Sequence, residues 1–299
     1  MALVERKPWR GVMVATALPL RDDDLSVDLD GYADHCRWLV DNGCDGVVVN
    51  GSLGEYQTLT AEERAAVVET AVAAVGGANV MAGAGAYGAA ESRRWAEQAR
   101  EAGCGSVLLL PPNAYRADER AVLAHYREVA AAGLPVVAYN NPYDTKVDLT
   151  PALLARLHEE GLIVAVKEFT GDVRRAYELA ELAPGLDLLI GADDVLLELA
   201  LAGATGWVAG YPNALPAATS ALYRAAVAGD LATALPLYRT LHPLLRWDSK
   251  TEFVQAIKLS MDLAGRRGGP CRQPRQPLTG EQEAAVRAVT EKVLAEGLR

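Results

Sequence analysis

Eight short apolar runs recur along the chain, each followed by a stretch of helical character: "GVMVATAL" (11–18), "CDGVVVN" (44–50), "ANVMAGAG" (78–85), "GSVLLL" (105–110), "PVVAYN" (135–140), "LIVAVKE" (162–168), "DLLIGAD" (187–193) and "GWVAG" (206–210). Their apolar residues are consecutive, which predicts strands buried on both faces. Such strands, each followed by a helix, form a parallel sheet covered on both sides. Eight units predict a (β/α)8 TIM barrel, and the length of 299 residues fits one large barrel or two ordinary domains. A doubly wound open sheet tolerates the same pattern, and periodicity does not separate the two. Beyond the eighth run the chain continues in helical stretches such as "SKTEFVQAIKLSMDLAG", broken by the loop "RRGGPCRQPRQP". The expected organisation is therefore a barrel over residues 1–211, then its last helix and a C-terminal helical extension over residues 212–299.

Start and stop signals support the helices. In "LTAEERAAVVETAVAAV", Thr60 is placed to cap the helix and Glu63, three residues on, to complete a capping box. "DLTPALLARLHEEG" repeats the device with Thr150 as cap, Pro151 at the first helical position and Gly161 as the stop.

One residue sits oddly in this scheme. The sixth run ends in Lys167, a residue type almost never fully buried unless its charge is paired or lost. Alternation puts Ile163, Ala165 and Lys167 on one face and Val164, Val166 and Glu168 on the other, so one of the two charges enters the barrel. Lys167 is assigned inward, because the small Ala165 leaves room beneath a long side chain. On the preceding strand Tyr139 also lies at the carboxyl end, where barrels carry their chemistry. Strands about 5 Å apart bring a phenol and an amine within proton-exchange reach. Desolvation favours the neutral amine, the nucleophile that forms Schiff bases with carbonyl compounds. The structural alternative is a lysine snorkelling to a solvated rim beside an amphipathic core tyrosine.

Other classes fare poorly. A net charge of −10 leaves nucleic-acid or anionic-membrane binding without a driving force, so a small-molecule partner is expected. The N-terminal "MALVERKPWRG" has no apolar leader core, and no run of roughly 18 apolar residues could span a bilayer, so a cytoplasmic protein is expected. Cys36, Cys44, Cys104 and Cys271 form no CxxC pair and His35, His125, His158 and His242 no HExxH, so no metal site is expected. After the second run, Gly51 and Gly54 leave backbone amides free to bind a carboxylate or phosphate, although an ordinary turn would look the same. Gly83, Gly85 and Gly88 have the GxGxxG spacing of a dinucleotide site. The following run, "LLLPPNAY", lacks the required carboxylate, so close packing is the preferred reading over an oxidoreductase.

Taken in order, "GSLGE" (51–55), "GAG" (83–85), "LLLPP" (108–112), "YNNP" (139–142), "VKEFTGD" (166–172), "GADD" (191–194) and "GATGWVAG" (203–210) resemble the dihydrodipicolinate synthase/N-acetylneuraminate lyase family over nearly the whole chain. The resemblance implies a (β/α)8 barrel with a C-terminal helical extension, a homotetramer built as a dimer of dimers, and a lysine Schiff base with a 2-oxo acid. It implies no metal and no organic cofactor. Lys167 matches the Schiff-base lysine and Tyr139 the proton-shuttling tyrosine. Ser52 and Leu53 match the pair whose amides hold the substrate carboxylate, Val208 a residue whose carbonyl faces the substrate, and Gly191 is grouped with the substrate-binding positions. Three departures stand out. Leu53 replaces a hydroxyl-bearing threonine of the synthase, Ala114 falls at its inter-subunit tyrosine with Tyr115 beside it, and Asp144 replaces an arginine that binds the second substrate's carboxylate. The expectation is a Schiff-base lyase for a 2-oxo acid, a pyruvate-type aldolase or a hydroxy-2-oxo acid or hydroxypyrroline-carboxylate dehydratase-deaminase, and not a true synthase. The alternatives are the synthase itself and a non-catalytic 2-oxo acid binding protein on the same fold.

Overall fold

The computed structural model describes residues 7–299; the first six residues, and with them part of the N-terminal stretch read for a leader, lie outside it. Eight parallel strands close into a barrel in sequence order, with β1 pairing both β2 and β8. They are β1 (Gly11–Ala15), β2 (Gly46–Val49), β3 (Val80–Gly83), β4 (Ser106–Leu109), β5 (Val136–Asn140), β6 (Ala165–Glu168), β7 (Asp187–Ile190) and β8 (Gly206–Ala209). Each lies within one of the eight apolar runs and is shorter, because the ends of several runs turn into mouth loops. Closure excludes the open doubly wound sheet.

The helices are α1 (Leu29–Asp41), α2 (Ala61–Val75), α3 (Ala89–Ala102), α4 (Glu119–Ala130), the short α5 (Pro142–Thr145), α6 (Pro151–Glu159), α7 (Arg174–Leu182), α8 (Leu196–Leu201) and α9 (Pro216–Val227), followed by α10 (Leu231–Leu245), α11 (Phe253–Leu263) and α12 (Gly280–Ala295). The Thr60–Glu63 capping box forms at α2, and Thr150 caps α6 with Pro151 at its first turn. Gly161, just beyond α6, takes a left-handed φ of 71° that a branched residue would resist.

Alternation along the strands builds two cores. Met13, Val48, Met81, Leu108, Val137, Ala165, Leu189 and Val208 point into the barrel, whereas Val47, Val49, Val107, Ala138 and Val166 pack outward against the helices. The barrel floor is closed by the N-terminal segment, where Trp9 Nε1 donates to Asp187 Oδ2 (2.7 Å) and Arg10 pairs with the same carboxylate (2.7 Å). One parity assignment fails. Ile163 belongs to the outer core and Val164 packs against the inner one, because the chain bends at Val164 before the ladder of β6 begins. From Ala165 onward the expected alternation holds, with Lys167 inward and Glu168 outward. Gly83 is a packing glycine, since a Cβ there would lie 2.2 Å from the Asn50 carbonyl oxygen.

Candidate active site

Tyr139 and Lys167 are register partners across β5 and β6, so the two side chains rise from the same height at the barrel mouth. The Lys167 Nζ lies 4.4 Å from the Tyr139 ring centroid and 5.8 Å from that of Phe169. With Lys167 only 7% exposed, loss of hydration pushes its ammonium below the usual lysine range, an effect opposed by the nearby carboxyls of Asp248 and Asp193. Burial also raises the Tyr139 phenol, which accepts a hydrogen bond from Asn141 Nδ2 (3.4 Å). On the far face, Glu168 accepts from Asn140 Nδ2 (3.0 Å) and from the Thr170 backbone N–H (2.7 Å), which fixes the strand end outside the barrel.

Two buried carboxyls flank the amine. Asp193, after β7, accepts hydrogen bonds from Trp207 Nε1 (2.8 Å) and from the backbone N–H groups of Gly210 and Tyr211 (both 3.1 Å). Burial raises it to about 6 against those donors. Asp248 comes from the break between α10 and α11, and its carboxyl is raised first by burial and then by the like charge of Asp193. Glycines make the space: a Cβ at Gly191 would meet the Glu168 carbonyl oxygen at 2.5 Å and the Lys167 Cγ at 3.0 Å, and one at Gly210 would meet Asp248 Oδ1 at 2.3 Å.

The loop after β2 carries Ser52 and Leu53 to the mouth. Its left-handed residues are Asn50 and Glu55 (φ 53° each), while Gly51 and Gly54 keep negative φ. Asn50 tolerates this conformation and anchors itself by donating from Nδ2 to the Arg64 carbonyl (3.0 Å). Glu55 has no such preference and is held by an ion pair: Lys258 Nζ of α11 donates to its Oε1 (2.8 Å), and the Arg272 backbone N–H donates to its Oε2 (2.8 Å). Lys258 also donates to the Pro270 carbonyl (2.6 Å), and both charged side chains are almost fully buried. The C-terminal extension thus clamps the loop that carries Ser52 and Leu53.

A cavity of about 530 Å³ opens above these groups, lined by Ser52, Leu53, Tyr139, Lys167 and Asp248 among others. Gly191 lies under the Lys167 stem, and Val208 is buried in the barrel interior two residues below the lining Gly210. Asp144 reaches the wall and accepts from Asn141 Nδ2 (2.8 Å), whereas Tyr115 is 62% exposed. Among the wall residues that reading the sequence missed are three charged ones, Asp248, Lys250 and Arg275, all from the extension. The available signal for the first two was "RWDSKTEF", where two acids, a lysine and two hydroxyls sit between Trp247 and Phe253.

A buried lysine facing a register-paired tyrosine at the carboxyl end of a barrel is decided further by comparison. Residues 8–293 match the Dihydrodipicolinate synthetase family. The chain belongs to that family. The 4-hydroxy-tetrahydrodipicolinate synthase of Methanothrix thermoacetophila is 35% identical over 288 residues, covering 95% of this chain and 97% of the relative. Among solved structures, a putative dihydrodipicolinate synthetase from Pseudomonas aeruginosa superposes with a TM-score of 0.90 at 30% identity, covering 95% of this chain and 99% of that one. A prophage protein of the family from E. coli K12, in complex with pyruvate, gives 0.88 at 27%, covering 97% and 99%. Family members of this kind are carbon–carbon lyases of the Schiff-base class, and the chain is accordingly a lyase of that family. The synthase name carried by the 35%-identical relative gives no support to the expectation that this chain is not a true synthase. No helix among the described residues is long and apolar enough to cross a membrane.

Proposed function

We propose that Lys167 attacks the C2 carbonyl of a 2-oxo acid, that the backbone amides of Ser52 and Leu53 hold its carboxylate, and that Tyr139 moves protons between the adduct and the solvent side. The observation that carries this reading is the register pairing of Tyr139 with a buried Lys167 whose ammonium is destabilised by desolvation. The protonated imine withdraws electrons from C3, so it serves as the electron sink and the chemistry needs no metal or organic cofactor. Gly191 gives the lysine stem its room, and the Val208 carbonyl belongs to the strand that borders the bound acid in the same reading. The pyruvate held by the E. coli relative makes pyruvate the first acid to test. A homotetramer belongs to the same reading, with the exposed Tyr115 on a rim loop offering a contact for a second copy.

Leu53, Ala114 and Asp144 favour a second half-reaction other than condensation with an aldehyde that bears a carboxylate. The Leu53 side chain has no exchangeable proton, and Asp144 meets an anion with like charge. A second reading, the synthase itself, is favoured by one observation. Lys250 and Arg275 line the cavity and offer cations in place of the missing arginine. A coupled condensation assay with pyruvate and aspartate semialdehyde separates the two. For the shared step, reductive trapping with cyanoborohydride and pyruvate, followed by peptide mapping, should leave a carboxyethyl group on Lys167 and none in Lys167→Met. An unmodified wild-type chain, folded and tried with several 2-oxo acids, would sink the Schiff-base reading.

A further inference from the structure

Arg64 follows the Thr60–Glu63 capping box of α2 and is only 6% exposed, yet its guanidinium makes no ion pair among the described residues. It donates instead to two backbone carbonyls, from Nη1 to Gly85 (3.3 Å) and from Nη2 to Gly83 (3.1 Å), while the buried Nε has no partner among the described residues. The cation lies 4.1 Å from the centroid of the Trp95 ring and 5.3 Å from that of Tyr56. Burial lowers its pKa to about 10, opposed by the Tyr56 phenol and by Glu91, an exposed carboxylate of α3, so Arg64 stays charged near neutrality. A buried cation that no carboxylate contacts is uncommon, because little offsets its lost hydration.

The carbonyls that Arg64 holds belong to the cavity wall, where Gly83 and Gly85 stand with Asn50, Gly51, Ser52 and Leu53. The two segments are in contact, since a Cβ at Gly83 would lie 2.2 Å from the Asn50 carbonyl oxygen. Asn50 in turn donates from Nδ2 to the Arg64 carbonyl (3.0 Å), so this one residue fixes both loops from behind. With their oxygens turned to the guanidinium, the Gly83 and Gly85 carbonyls present no negative end to the cavity. On the cavity side, the backbone N–H groups of Ser52 and Leu53 donate to nothing among the described residues. Free amides in front and an unpaired cation one layer behind make this wall electropositive, which is the chemistry that receives a carboxylate. Resting on the Schiff-base reading above, we propose that Arg64 is a positioning residue that sets the preference for an ionised carboxylate beside the reacting carbonyl: it orders the Ser52–Leu53 loop through Asn50 and Gly83, and the bound carboxylate supplies the counter-charge that no side chain brings into contact with it. No bond forms or breaks at Arg64, so its effect falls on binding and not on the chemical step.

The test compares pyruvate with pyruvamide, which offers the same ketone and nearly the same shape without the charge, in cyanoborohydride trapping on Lys167 by the full chain. The ratio of the two half-maximal concentrations cancels the protonation of Lys167, which both compounds share. The wild-type chain should favour pyruvate. Arg64→Met removes the charge and keeps much of the stem, so the half-maximal pyruvate concentration should rise about 10-fold, while the pyruvamide value and the trapping rate at saturating pyruvate stay within about 2-fold. Equal weakening of both compounds would reduce Arg64 to loop packing and overturn the proposal, and so would an unchanged preference. Arg64→Lys returns the charge and should restore the preference to within about 3-fold at about pH 6, where even a desolvated lysine keeps much of its proton; a lysine variant no better than the methionine one also overturns it. Should Arg64→Met not fold, Arg64→Gln, which keeps an amide donor for the two carbonyls, should lose the preference to the same extent, and a retained preference would again refute the assignment. If the wild-type chain traps neither compound, the Schiff-base reading falls first and this one with it. If it traps both equally well, the imine stands and the carboxylate preference assigned to Arg64 falls.

Discussion

Replacing Lys258 with Met tests whether the C-terminal extension governs substrate binding through a single buried contact. Methionine fills much of the lysine stem's volume, so the change mainly deletes the ammonium that donates to Glu55 at 2.8 Å. Both partners are at most 2% exposed, so surface screening does not apply. Glu55 keeps the Arg272 N–H but loses its counter-charge, and breaking one side of a buried ion pair costs about 3–5 kcal/mol. For a chain of this size that is a fall in Tm of roughly 6–20 °C, at about 2–4 °C per kcal/mol. Glu55 also holds a left-handed backbone at the end of the Ser52–Leu53 loop, so its release should raise the pyruvate concentration needed for half-maximal trapping on Lys167. The assay pairs thermal unfolding by circular dichroism, at fixed protein concentration, with trapping titrations for Lys258→Met, Glu55→Gln and the double variant. With both charges gone, the double variant should be more stable than the sum of the single losses predicts. Additive losses, or a Lys258→Met chain with unchanged Tm and unchanged trapping, would refute the clamp.

Two further outcomes follow from the amine and the phenol. Tyr139→Phe retains the ring beside Lys167 and removes the hydroxyl, so turnover should fall about 10²–10⁴-fold while trapped adduct still forms; turnover near wild type would assign the proton to another group. Because desolvation lowers the Lys167 pKa from 10.5, the rate of pyruvate trapping should rise with pH and level off below that value, whereas a limb still climbing there would mean a solvated lysine. The same shift makes the stability contribution of Lys167 fully present above pH 10.5 and lost as pH falls through the folded pKa, the reverse of a salt-bridged lysine.

The barrel was legible because its strands are apolar on both faces, a pattern that water-exposed sheets do not allow, and because helix starts are marked locally, by the capping hydrogen bonds of Thr60 and Thr150 and by the fixed φ of Pro151. The Tyr139–Lys167 pairing was legible for the same local reason, as both lie at the ends of neighbouring strands. Local alternation failed at Ile163, where a bend precedes the ladder. It was silent on Glu55, whose left-handed backbone depends on Lys258, a partner 203 residues away. Asp248, Lys250 and Arg275 were out of reach too, since nothing in a helix break says which strand end it will cover.

That division has a chemical meaning. Lys167 and Tyr139 stand on strands whose register is set by backbone ladders, so on the proposed reading the step common to all 2-oxo acids rests on hydrogen-bonded barrel strands. The other charged groups lining the cavity, Asp144, Asp248, Lys250 and Arg275, come from the short α5, the break between α10 and α11 and the loop before α12. Such residues can change without disturbing the barrel, and the departures at Leu53, Ala114 and Asp144 are of this kind. Leu53 is buried and apolar on one side of the cavity, so it relays no proton from there. The Tyr139 hydroxyl is met by the Asn141 amide at 3.4 Å, a donor that holds the phenol oxygen without supplying an acid. The wall beside β8 differs in kind, because there the cavity is lined by a buried carboxyl, Asp248, packed against Gly210.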